Sequence, residues 1–284
     1  MFENKYASLI KNEFGITVKF NLIMSPKKKM RLAHRLYDSL GVLSNDFGLG
    51  ELVNPSGSLK IVFGKGSPGA RGLYKDDTIY LYSPMFSALS HELFHAIDCQ
   101  CGKLFNIPDK EMLSDYLFVT TLYGNSNEWK VSDEICKLIT DNSIDSFKSY
   151  FQSMMKRSAN YDMHIIKQRY YSLPKEILAR GFEAYVYSKT NESLLLFVKD
   201  DIEWLKNSSL MEDNYVYPRD SEMPAMAALY ESFVCSAKDI GIRTPLKEFQ
   251  DVTAELNETY IKHKSPLAVQ GTKVRKNDFR ELEL

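Results

Sequence analysis

Apolar and polar positions alternate in three short stretches of the first third of the chain. Residues 16–23 (Ile-Thr-Val-Lys-Phe-Asn-Leu-Ile), 59–63 (Leu-Lys-Ile-Val-Phe) and 78–82 (Thr-Ile-Tyr-Leu-Tyr) read as strands. Between the first two, Ser25-Pro26 supplies a cap and a first-turn proline for a helix expected to reach about residue 41. Leu32, Leu36 and Leu40 share one face of that helix. The Gly-rich run from Gly64 to Gly72 must be loop or sheet edge, and it lacks the Gly-Lys-Ser/Thr ending of a phosphate loop. Ser83-Pro84 reads as the start of another helix.

From residue 85 onward the apolar period is helical. Helices are expected near 85–104, 109–122, 127–140, 143–157, 162–172, 174–189, 193–206 and 221–237. The fold class is therefore α+β and mostly helical, with a small N-terminal twisted sheet and a helical C-terminal body. The layout divides into a strand–helix extension (1–57), a central domain (58–240) and a C-terminal helix or tail (241–284).

Composition narrows the classes. The 284 residues are 44% hydrophobic and 26% charged, which excludes a disordered chain. Thirty-six basic against 37 acidic side chains leave a net charge of −1, so no global basic field is available for nucleic acid. The local clusters Lys27-Lys28-Lys29 with Arg31, and Lys273, Arg275, Lys276 and Arg280 in the tail, do not alter that expectation. Cys99, Cys101, Cys136 and Cys235 are read as reduced thiols. No stretch reaches the ~18–20 apolar residues of a membrane span, and the first residues lack a secretion signal, so a cytoplasmic protein without membrane partners is expected.

The chemistry is concentrated in His91-Glu92-Leu93-Phe94-His95. In a helix, positions i and i+4 share a face, so both imidazoles can reach one zinc ion. Glu92, beside the first histidine, can take a proton from water as general base. A catalytic zinc needs a third protein ligand. Asp98 would lie about 10 Å along the axis from His91, too far to share the ion, and reads as a support behind the ligands. A second helix from Pro174 carries Glu176, Arg180 and Glu183 along one stripe. Glu176 and Glu183 are again about 10 Å apart, so only one of them can ligate. Glu176, in an E-x-x-A-R pattern, is the preferred ligand and Glu183 the alternative. Sign and register suggest that Arg180 pairs with Asp98.

Several segments in order carry a resemblance. They are Gly69-Ala70-Arg71-Gly72 with Tyr74, Thr78 to Leu81, Ala88 to Asp98, Glu176 to Val186, and Tyr217 to Glu222. Together they resemble the zincin-like metallopeptidase domains of large polyvalent proteins from phages and conjugative elements, over roughly residues 58–235. That group usually has a Trp and a small residue where Leu93 and Phe94 stand. The resemblance implies a gluzincin-like fold, its sheet packed on the metal-binding helix, a Zn2+ cofactor, and hydrolysis of a protein or peptide substrate, a host protein among the candidates. Arg71 is then expected to face a substrate carboxylate or the oxyanion. Thr78–Tyr82 is the expected substrate-pairing strand, and Tyr215 or Tyr217 the expected oxyanion donor. The alternative function is a zincin-fold binding protein, an inhibitor or decoy of a host defence factor, in which zinc is only structural.

Overall fold

The computed structural model describes residues 4–64, 70–82, 88–105, 112–124, 126, 130, 133–137, 144–163, 169–190 and 215–239. The expectations for Ser83-Pro84, for a helix over 193–206 and for the tail at 241–284 lie outside these residues.

Helix α1 (Lys5–Phe14) begins where the Asn4 side chain accepts from the Ala7 N–H and ends at Gly15, whose φ of 69° suits glycine. Strand β1 (Thr17–Phe20) follows. Helix α2 (Pro26–Asn45) starts as its sequence predicts, with Ser25 Oγ accepting from Lys28 N–H and Pro26 in the first turn. It runs past residue 41 because Leu43 extends the apolar face of Leu32, Leu36 and Leu40. Buried Asn54 then joins two elements. Its amide donates to the Phe14 carbonyl, and its carbonyl accepts from Leu59 N–H at the mouth of β2.

Strands β2 (Lys60–Gly64), β3 (Gly72–Lys75) and β4 (Thr78–Tyr82) complete a four-stranded sheet in the order β1-β2-β4-β3. β1, β2 and β4 are parallel, and β3 is antiparallel to β4. The Gly-rich run therefore ends in a strand, consistent with sheet edge. Asp76 and Asp77, at φ 49° and 53°, make the two-residue turn of the β3–β4 hairpin. Ile61 and Phe63 pair with Ile79 and Leu81 on the inner face, and all four are fully buried. On the outer face Lys19, Lys60, Leu73 and Lys75 meet solvent.

Helix α3 (Leu89–Leu104) packs on β3 and β4, and the remaining helices build outward from it. They are α4 (Leu113–Tyr123), α5 (Ile144–Tyr161), α6 (Pro174–Lys189) and α7 (Met223–Asp239). Residues 133–137 are helical as expected. The helix expected over 162–172 does not continue through its described part. Instead the Asp162 carboxylate accepts from the N–H groups of Tyr171 and Ser172, at 2.8 and 2.7 Å, and holds a turn ahead of Pro174. The protein is thus α+β and mostly helical, and among the described residues no helix is long and apolar enough to cross a membrane.

Candidate metal centre

α3 and α6 lie against each other and supply the site from their facing sides. Phe94, the bulky residue between the two histidines, points away from the site. It packs on Phe182 of α6 and on Tyr230 and Phe233 of α7, at ring distances of 5.4 to 5.8 Å. That aromatic cluster fixes the spacing of the two site helices.

The His91 and His95 rings sit 4.9 Å apart at 83° to each other. Glu176 joins them from the first turn of α6, and one ligand atom from each of the three lies within 4.8 Å of the others. His91 Nε2 is 3.2 Å from Glu176 Oε2, and His95 Nε2 is 3.5 Å from Glu176 Oε1. Ligand atoms at about 2.0–2.1 Å from a tetrahedral ion lie about 3.4 Å from one another. The donor set and its spacing therefore fit a metal ion. All three side chains are largely shielded from solvent, with side-chain exposures of 13%, 7% and 6% in the order His91, His95, Glu176.

The electrostatics favour a cation at this point. Burial alone would lower the His91 pKa, but Glu176 and Glu183 outweigh it and push the ring up to about 10. Burial would raise the Glu176 carboxyl, and the two histidines hold it well below the ordinary range. A proton thus holds together what a metal ion would hold more strongly.

Glu183 does not join the ligand group. It stands behind His91, with Oε2 3.5 Å from His91 Nδ1, and accepts a 3.1 Å hydrogen bond from the Tyr217 hydroxyl. Tyr217 is buried, so its expected part as an oxyanion donor is corrected: its hydroxyl is committed to Glu183. Tyr215 offers its carbonyl to Arg157. One further expectation is also corrected. Asp98 does not pair with Arg180; its carboxylate accepts from Ser114 N–H at 2.9 Å and from Ser114 Oγ, tying α3 to the start of α4. Arg180 turns the other way and donates to the carbonyls of Val216 and Tyr171 and to Ser158 Oγ. Both residues lie on site helices, yet register does not determine which neighbour each meets.

Glu92 is buried beside the ligands, and burial raises its carboxyl pKa against the pull of His91 and His95. Arg71 precedes β3, its carbonyl accepting from Tyr82 N–H and its side chain half-buried. β4, the expected pairing strand, lies between β2 and β3, and among the described residues β3 is an edge strand. One residue at the site escaped sequence reasoning. Tyr170 neighbours Glu176, whose charge together with burial raises its hydroxyl pKa, although the residue is 45% exposed. Nothing in the pattern singles it out among 17 tyrosines. Comparison of the chain with protein-family models, curated proteins and solved structures finds no match.

Proposed function

We propose that the protein is a zinc-dependent metallopeptidase with a zincin-like core, in which His91, His95 and Glu176 hold the ion and Glu92 is the general base. The convergence of two imidazole Nε2 atoms and one carboxylate, with a buried glutamate adjacent to His91 in sequence, carries this reading. When bound, zinc polarises a peptide carbonyl and acidifies water. The chain's own residues do the rest. Glu92, its carboxyl raised by burial, is suited to accept a proton at a carboxylate oxygen and return it to the leaving amine. Tyr170 stays protonated, because burial and the neighbouring Glu176 charge both raise its pKa. Its hydroxyl is suited to donate to the oxygen on which charge develops. Glu183, backed by Tyr217, holds the His91 ring so that Nε2 faces Glu176. The edge of β3, which no described strand pairs and which packs near α3, suits an extended peptide.

The test pairs metal analysis with two variants. The purified chain is expected to carry one zinc ion. Glu92→Gln should keep that ion and lose at least about a hundredfold of the hydrolysis of labelled casein. Glu176→Ala should lose most of the zinc. A chain that takes up no zinc, or a Glu92→Gln variant as fast as the parent, would overturn the reading.

A further inference from the structure

The edge strand has a feature that sequence alone does not explain. Arg71 and Tyr82 are hydrogen-bonded directly across the hairpin, so Leu73 and Tyr80 are the next bonded pair. The backbone groups of Gly72 and Tyr74 therefore point away from β4, toward the open edge. No described strand pairs with that edge. Glu92 fills part of the space. A Cβ built on Gly72 would lie 2.6 Å from Glu92 Oε1, 2.7 Å from its Cγ and 2.9 Å from its Cδ.

We propose that β3 seats the general base: Gly72 leaves the volume that the Glu92 side chain occupies. This rests on the reading of Glu92 as the base. Gly72 is then a positioning residue, and β3 decides where the proton acceptor stands relative to the ligands on α3 and α6. A Cβ at position 72 would displace the Glu92 side chain, and no left-handed φ at Gly72 calls for glycine.

A double-mutant cycle tests the seat without relying on activity. Thermal midpoints are compared for the parent, Gly72→Ala, Glu92→Ala and the double variant, each with zinc present. Gly72→Ala alone should lower the midpoint. In the Glu92→Ala background the same change should cost nothing, because the colliding atoms are gone. Gly72→Ala should also keep the parent's zinc content while turnover of labelled casein falls at least tenfold. If Gly72→Ala does not fold, recovery in the double variant supports the seat, and failure in both backgrounds overturns it. Equal cost in the two backgrounds, or parental turnover in Gly72→Ala, also overturns it. If the parent neither binds zinc nor cleaves casein, the metallopeptidase reading falls, and the cycle still decides whether Gly72 houses Glu92.

Discussion

The two ring nitrogens of His91 face different carboxylates, Nε2 toward Glu176 at 3.2 Å and Nδ1 toward Glu183 at 3.5 Å. The metal-free ring, raised from 6.5 to about 10, holds its proton at neutral pH. Zinc must displace that proton, so its affinity should rise about tenfold per pH unit below about 10 and level off there. For the metal-free fold the sign is opposite. The stabilisation from the charged ring is complete below 6.5 and is lost as pH rises through about 10. Chelator competition at several pH values checks the first statement. Glu183→Gln should weaken zinc by about 10- to 100-fold, because Nδ1 loses its carboxylate partner. Tyr217→Phe should weaken it less. Zinc affinity in Glu183→Gln equal to the parent's would show that the ring needs no brace. His95 provides the contrast, since its Nδ1 is buried and finds no partner among the described residues.

At the scale of elements, the helix signals were readable because they are local. Asn4, Ser25 and Pro26 act within one turn of where they stand, and the H-E-x-x-H pair needs only the helical period. β3 escaped because it is four residues long and begins in glycine, and its pairing depends on a turn that brings β4 beside it. The partners of Asp98 and Arg180 were misread for a similar reason: each meets a segment whose approach is set by distant packing. The Asp98–Ser114 contact has a pH signature. Burial pushes the Asp98 carboxyl up from 3.8 to about 6, against the two hydrogen bonds from Ser114. A raised carboxyl stabilises the fold below 3.8 and loses that contribution as pH rises through about 6. The stability advantage of the parent over Asp98→Asn should therefore shrink from pH 4 to pH 6, read by urea unfolding at each pH. An advantage that grows over that interval would mean the carboxylate form is the better cap for α4.

Across the whole molecule, the site depends on a segment far from the ligands in sequence. Residues 215–222 bring Tyr217 to Glu183, and two buried arginines hold that segment down. Arg180 binds the Val216 carbonyl. Arg157 binds the carbonyls of Tyr215 and Tyr217 and forms a two-pronged pair with Glu222, at 2.9 and 2.7 Å. No local pattern announces Arg157, because its partners lie about 60 residues away. Removing it leaves the Glu222 carboxylate, only 21% exposed, without its cation, so Arg157→Ala should cost about 3–5 kcal/mol of stability. It touches no ligand, and the three donors of α3 and α6 should still converge. Thermal melts with and without zinc separate the two effects. At a free zinc concentration 100 times the dissociation constant, a ligand that binds only the folded chain stabilises it by about 2.7 kcal/mol. The parent and Arg157→Ala should both gain that increment from their different starting points, and Glu176→Ala should gain almost none. If Arg157→Ala gained no more than Glu176→Ala, the 215–222 segment would be part of what assembles the metal centre rather than a clasp over it.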